Sequence, residues 1–321
     1  MTPVSRGPGP DILICGSARA GTSYLASLLG SDPRVDPGAV KEPNFYSREW
    51  HRGLDWYERL YAPRRQGLLR LDASTSYTFA HFPDALTNVA THAPHAVVVY
   101  LVRDPIQRLL SHFQLHRTYF HNDDAQTLGE AVTGRDVYTG ASDYAHWLET
   151  LYTLFPAERV LVVPFDIVTS RPGEILSLVF DTLELPKESD NQTTGRAGDH
   201  RNEVVEFRNP ALRMAWRAMH VSGAYPHLRK LLGVDRTRRL RGLLTRASHT
   251  ERLPEALASC SNEQLLAMGR LYASGQVAAA EALGRQDART GLAWVSAWAD
   301  SCPASGSTDL QEALDARRLV D

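Results

Sequence analysis

The sequence predicts an α/β sandwich, with a central parallel sheet flanked by helices and helical additions toward the C-terminal end. Three observations predict it. Short apolar, β-branched runs alternate with segments of helical periodicity, the pattern of parallel strands joined by crossover helices. The first such run opens into a glycine-containing turn that leads into a helix. Beyond about Glu184 the strand signal stops and polar, then helical, sequence follows.

Asp11-Ile12-Leu13-Ile14-Cys15 reads as a buried strand ending at Gly16. Tyr24, Leu25, Leu28 and Leu29 repeat on one helical face until Gly30-Ser31-Asp32-Pro33 stops them. Gly67-Leu68-Leu69-Arg70-Leu71 is a second, weaker strand. Ala96 to Val102 is the strongest, nearly continuous in β-branched and apolar residues. Asp104 then has the chemistry of an N-cap and Pro105 that of a first helical residue. Ile106, Leu109, Leu110 and Phe113 share the face of the helix they start. A helix over Tyr144 to Leu154, a strand over Arg159 to Val163 and a helix from Pro172 complete this part. Arg208 to Leu244 reads as helical and basic, Asn262 to Leu283 as a further helix, and Ala304 to Thr308 as a linker before a short terminal helix.

The expected organisation is a flexible leader at 1–10, one domain over 11–300 and a tail at 301–321. The domain divides into an α/β core at 11–186 and a mainly helical part at 187–300. A net charge of −2 supplies no global field for nucleic acid, so an anion site must be built locally. No apolar run approaches the roughly 18 residues of a membrane span, and Met1 to Pro10 has no apolar core for a signal peptide. The three cysteines, Cys15, Cys260 and Cys302, form no CxxC pair and suit a reducing, cytoplasmic setting as plain thiols.

Gly16-Ser17-Ala18-Arg19-Ala20-Gly21-Thr22-Ser23 lies between the first strand and the first helix. Backbone N–H groups of such a turn, aided by the helix N-terminus, can cradle a phosphate. The spacing nearly fits GxxxxGK[ST], but Thr22 stands at the lysine position and the cation sits three residues earlier, at Arg19. No acidic strand end is read to hold Mg²⁺. The loop is therefore P-loop-like and fits one 5′-phosphate bound without a metal. A glycine turn that binds nothing, and a kinase or NTPase, are the other readings.

The second signal is Leu101-Val102-Arg103-Asp104-Pro105-Ile106-Gln107-Arg108-Leu109-Leu110-Ser111. Arg103 ends a strand and presents a fork suited to a phosphate dianion. Ser111 lies about two turns into the helix, off the apolar stripe. Together the two segments resemble the 5′-phosphosulfate and 3′-phosphate motifs of sulfotransferases that use 3′-phosphoadenosine-5′-phosphosulfate (PAPS). Lys41-Glu42-Pro43-Asn44-Phe45-Tyr46, Gly53-Leu54-Asp55-Trp56-Tyr57, Leu71 to Tyr77 and Phe155 to Asp166 resemble landmarks of the heparan, glycan-type branch and of bacterial sulfotransferases. The similarity covers roughly residues 11–186. Two positions depart from the heparan type: Asn44 stands where a His follows the catalytic Glu, and Ala73 where a supporting Lys is found.

The resemblance implies transfer of the sulfuryl group of PAPS to a hydroxyl of a small-molecule, natural-product or carbohydrate acceptor, releasing 3′,5′-ADP. Arg19 would neutralise charge on the leaving phosphate, while Ala20, Gly21, Thr22 and Ser23 hold it. Arg103 and Ser111 would grip the 3′-phosphate, and Glu42 would act as general base. By itself Glu42 also reads as a surface acid paired with Lys41 or Arg48. His112 is the rival base. Its i, i+4 spacing with His116 also fits zinc, yet the glutamate of HExxH is absent and no fourth ligand is spaced to match, so no metal is expected. Arg196 and Arg208 lie where this superfamily closes a basic loop over the nucleotide. The basic stretch 229–246 reads as a solvated amphipathic helix. Tyr46, Trp50, Trp56, Tyr77 and Tyr119 are candidate lining for an acceptor cleft. No nucleic acid and no membrane insertion are expected, and a nucleotide-binding protein without catalysis is the remaining alternative.

Overall fold

Five strands form one parallel sheet in the order β2-β3-β1-β4-β5. They are β1 (Ile12–Gly16), β2 (Val35–Asp36), β3 (Leu69–Asp72), β4 (Val97–Val102) and β5 (Val160–Pro164). This computed structural model describes residues 7–120, 123–184 and 252–301, with shorter stretches at 205–207, 209–221, 236–237, 240, 243–247, 311–313 and 315. The helices are α1 (Thr22–Leu29), α2 (Leu54–Glu58), α3 (Ala85–His92), α4 (Pro105–Leu115), α5 (Leu128–Gly134), α6 (Asp136–Gly140), α7 (Tyr144–Leu154), α8 (Phe165–Ser170), α9 (Pro172–Thr182), α10 (Pro210–Val221), α11 (Leu253–Leu257), α12 (Asn262–Thr290) and α13 (Trp294–Ser301).

Every residue of β1, β3, β4 and β5 is buried. That is the physical reason their sequences run apolar without alternation: helices cover both faces of a parallel sheet. Ile12 pairs with Leu71 on one side and with Val97 on the other, so β1 is central and its C-terminal end opens between β3 and β4. The register of β1 against β4 slips between Ile14 and Gly16, where the chain leaves the sheet.

α4 starts as its sequence requires. Asp104 Oδ1 accepts from the backbone N–H groups of Ile106 and Gln107, each at 2.9 Å, and Pro105 occupies the first turn. Its apolar face, Ile106, Leu109, Leu110 and Phe113, packs on Leu128, Leu257, Leu265 and Met268 from α5, α11 and α12. Ser111 is left on the opposite, sheet-end side.

The helical part is built into the core rather than added to its outside. α12 runs seven residues past the expected Leu283 and packs on α7 and β5. The amide of buried Gln286 closes the free edge of β5, accepting from Val162 N–H at 2.8 Å and donating to Val162 C=O at 3.1 Å. A sheet edge needs such a cover. Ala279, Ala282, Leu283, Trp294 and Trp298 join the same core as the strands.

The expected elements omit β2, the short helices α2, α3, α5, α6, α8 and α11, the later helix α13, and an antiparallel pair, β6 (Val205–Phe207) with β7 (Thr245–Ala247). At the other end residues 1–6 lie outside the described residues, while Gly9 and Pro10 are buried, so the expected leader is packed at its last residues. A Cβ on Gly9 would meet Ala93 Cβ at 2.4 Å. Arg196, Arg208, Cys302, most of 229–246 and the linker 304–308 lie outside the described residues. Among the described residues no helix is long and apolar enough to cross a membrane.

Candidate active site

The turn between β1 and α1 is shaped by what surrounds it. Gly16 sits so close to its neighbours that a Cβ would meet Thr78 Oγ1 at 2.5 Å and Tyr100 Cε2 at 2.8 Å. Gly21 has φ 93°, and a Cβ there would also press on Phe165 at 3.2 Å. Both glycines are required, one by close approach and one by left-handed backbone. Ser17 is pinned to the end of β4, with its N–H and its hydroxyl each donating to Leu101 C=O at 3.0 Å.

Gly21 is the N-cap of α1, so no side chain satisfies the first-turn N–H groups, and no acidic residue lies in that turn. An uncapped helix start of this kind is an anion receptor. Arg19, with φ 71°, stands beside it.

The two sequence motifs meet here. Arg19 Nε donates to Ser111 Oγ at 3.0 Å, and Arg103 donates from its guanidinium to Arg19 C=O at 3.3 Å. Arg103 is held from behind, its guanidinium 4.7 Å above the Phe165 ring and its backbone N–H donating to Tyr144 OH at 3.2 Å. Burial lowers the Arg19 pKa to about 10, with the like charges of Arg103 and Arg108 adding to the effect.

Arg108 is the residue that sequence reasoning missed, although it sits inside the quoted motif. It is 0% exposed. Its guanidinium donates to Ser142 Oγ at 2.6 Å, to Ala18 C=O at 3.0 Å and to Tyr138 C=O, so it ties the loop to the segment before α7. Burial brings its pKa down to about 10. The only available signal was a cation at a spacing that turns it inward, beneath the loop.

His112 is buried. Its Nδ1 lies 3.2 Å from an Arg108 nitrogen, so Nδ1 accepts and the neutral ring carries its proton on Nε2. Burial holds its pKa well below the ordinary range, and Arg108, His116 and Arg19 push the same way. His116 stacks edge-on at 4.7 Å, its pKa brought to about 4 mainly by burial. Among the described residues no group of three or more His, Cys, Asp or Glu is placed to hold a metal ion.

Glu42 lies beside the loop. Lys41 Nζ donates to Ser23 Oγ at 2.6 Å and pairs with Glu42 Oε1 at 3.1 Å, so the predicted pairing with Lys41 is present and reaches the first turn of α1. Glu42 is about one-third exposed, open to an incoming group. Below it, the sequence reading is corrected at two points. An acidic strand end does exist: Asp72 closes β3, next to β1. It is fully buried, however, and its oxygens accept from Ser74, Tyr77 and Tyr57 hydroxyls at 2.6, 2.8 and 2.9 Å. Burial raises its pKa to about 6 against these hydrogen bonds. Tyr46 and Tyr77, expected to line a cleft, are buried instead, because Phe45, Tyr46, Tyr57 and Tyr77 pile into a core under the 41–47 segment. Trp50 is exposed and Trp56 half-buried.

Residues 9–197 match the sulfotransferase domain family. A heparan sulfate N-deacetylase/N-sulfotransferase 1 of Caenorhabditis briggsae is 25% identical over 203 residues, covering 56% of this chain and 23% of the relative. A mouse heparan sulfate glucosamine 3-O-sulfotransferase 3A1 is 27% identical over 188 residues, with 56% and 46% covered. The chain thus spans a quarter to a half of the length of these relatives. Among solved structures, a sulfotransferase from Alicyclobacillus acidocaldarius aligns with a TM-score of 0.48 and 21% identity over 55% of this chain and 81% of that one.

Proposed function

The chain belongs to the sulfotransferase domain family, and from that premise we propose that it moves the sulfuryl group of PAPS to a hydroxyl of a small-molecule, natural-product or carbohydrate acceptor, releasing 3′,5′-ADP. The observation that carries the reading is the convergence of Arg19, Ser111 and Arg103 on one uncapped helix start. Three guanidinium groups, counting Arg108, act on one another there, and an arrangement of like charges is relieved by binding an anion.

In the proposed reaction the acceptor oxygen attacks sulfur, the new O–S bond forms, and the bond between sulfur and the 5′-phosphate oxygen breaks. The 5′-phosphate leaves with the electron pair. Arg19 and the N–H groups of Ala20 to Ser23 neutralise the charge that develops on it, as preorganised donors do in acyl and phosphoryl transfer. Arg103 and Ser111 take the 3′-phosphate, the group that separates PAPS from ATP. Glu42 accepts the acceptor's proton. Two facts favour it over His112: its carboxylate is partly exposed, whereas the imidazole is buried with its lone pair already engaged by Arg108. The relative named a heparan sulfate glucosamine 3-O-sulfotransferase supports a sugar hydroxyl, while Asn44 and Ala73 leave other hydroxyl acceptors open. Arg196 and Arg208 remain proposed nucleotide contacts, and a metal-independent, cytoplasmic enzyme is the proposed form.

Thermal unfolding with 3′,5′-ADP, 5′-AMP and ADP–Mg²⁺ side by side tests the reading. Ligand at about 100 times its dissociation constant adds about 2.7 kcal/mol. Stabilisation by 3′,5′-ADP without metal is expected. Stabilisation by ADP–Mg²⁺ alone replaces the sulfotransferase reading with a kinase one.

A further inference from the structure

Segment 41–47 has no regular secondary structure, yet it carries the proposed base. Glu42 (φ 57°) and Asn44 (φ 51°) both hold left-handed backbone. Non-glycine residues keep that conformation only where their surroundings over-determine it, although Asn tolerates it better than most.

The surroundings here form one connected chain. Asn44 Nδ2 donates to Glu42 C=O at 2.8 Å, which locks the two left-handed residues together. Asn44 Oδ1 accepts from Ser76 Oγ at 2.6 Å. The Asn44 N–H donates to Ser74 Oγ at 2.9 Å, and Ser74 Oγ donates in turn to Asp72 Oδ1 at 2.6 Å. Asp72 is 0% exposed and fixed on its other oxygen by Tyr57 and Tyr77. It is also the last residue of β3 and pairs with Leu13 of β1, the strand that feeds the donor loop. The backbone of Glu42 is thus tied, through three residues, to the same rigid sheet that places Arg19.

We propose that Asn44, Ser74 and Asp72 are positioning residues, a latch that sets the Glu42 carboxylate relative to the donor loop. The proposal rests on the sulfotransferase reading and assigns Asn44 a role within the protein rather than toward the acceptor. Its side-chain amide is spent on Glu42 and Ser76, which leaves it little capacity for a substrate hydroxyl. A buried carboxylate surrounded by three hydroxyl donors is a rigid anchor, since every member is satisfied.

Two substitutions separate the latch from backbone strain. Asn44→Gly keeps left-handed backbone without penalty but removes the amide. Asn44→Asp keeps the acceptor for Ser76 but cannot donate to Glu42 C=O. Hydrogen–deuterium exchange over 42–47 is measured on the full chain without ligand, so it does not depend on any activity. Both variants are expected to exchange faster there, with 3′,5′-ADP stabilisation unchanged. Transfer from PAPS is then followed with whichever of 4-nitrophenol and a heparan-type oligosaccharide the wild type turns over. The expected result is a fall in kcat of about tenfold or more with KM for PAPS within about twofold, since small misplacements of a reacting group are costly. In a Glu42→Gln background the same substitutions should lower kcat no further. Unchanged exchange overturns the latch. So does a raised acceptor KM with kcat retained, which would make Asn44 an acceptor contact. If 3′,5′-ADP fails to stabilise the wild type, the sulfotransferase reading falls, while the exchange data still decide the latch.

Discussion

The loop between β1 and α1, the proposed donor loop, and the 41–47 segment lie side by side, and each holds a side chain with a proposed catalytic role on left-handed backbone, Arg19 in one and Glu42 in the other. They are held by different means. The donor loop is clamped between a buried strand and a helix, with glycines at Gly16 and Gly21 and the buried Arg108 beneath. The 41–47 segment has neither strand nor helix and is fastened by side-chain hydroxyls and an aromatic pile. The first device joins a short glycine turn to groups 84 to 92 residues away, Leu101, Arg108 and Ser111. The second joins residues about thirty positions apart.

Glu42→Gln has the largest expected effect. Transfer should fall at least about 100-fold, the usual scale for losing a general base, while 3′,5′-ADP still stabilises the protein. Unchanged turnover would move the base elsewhere, with His112 next in line.

Arg108→Met comes next. It leaves Ala18 C=O, Tyr138 C=O and Ser142 without their buried donor, and a loss of about 3 kcal/mol in urea unfolding is expected. 3′,5′-ADP stabilisation should weaken with it, because the donor loop loses its support. Retained donor binding would show that the glycines and β4 hold the loop without it.

Gln286→Leu tests how far the C-terminal helix belongs to the donor side. Loss of both contacts to the edge of β5 should cost about 2 kcal/mol, with activity per folded molecule unchanged.

The smallest effect is in pH. Burial raises the Asp72 pKa to about 6 from an ordinary 3.8. The folded state therefore binds this proton more tightly than the unfolded state does. Stability from this group is greatest below about pH 4, falls as pH rises through about 6 and stays low above it. Tyr57, Tyr77 and Ser74 face the carboxylate as donors, with Glu42, Tyr61, Tyr46 and Cys15 also coupled to it. Asp72→Asn should flatten that slope, on the order of 1–2 kcal/mol, in unfolding curves at pH 4 to 7. A slope unchanged by the substitution would place the titration on another group.

Much of the donor side was legible because its signals are local. Ile12 to Cys15 and Val97 to Val102 are apolar on both faces, which only a covered parallel strand tolerates. Asp104-Pro105 announced the start of α4, and the backbone confirms it to the residue. The glycine spacing and the Arg103/Ser111 interval were visible for the same reason. Asp72 escaped notice because an acid after Leu71 looks like any strand end until three hydroxyls from 57, 74 and 77 converge on it. The aromatic residues Tyr46 and Tyr77 read as cleft lining, since nothing in their neighbours' identities says that they face inward.

The chain's local chemistry foretold β1, β3, β4 and β5, the helices α1, α4, α7 and α9, and the two segments proposed to bind phosphate, since periodicity, capping and turn chemistry act over a few residues. Only the tertiary structure decided that Arg19 rests on Ser111, that Arg108 lies beneath the loop, and that Asn44 locks Glu42 to Asp72. The links from Arg19 to Ser111, from Arg108 to Ala18 and from Asn44 to Ser74 join positions 92, 90 and 30 residues apart. Chain entropy opposes such closures until the sheet has formed, so they are properties of the assembled fold and not of any stretch of sequence.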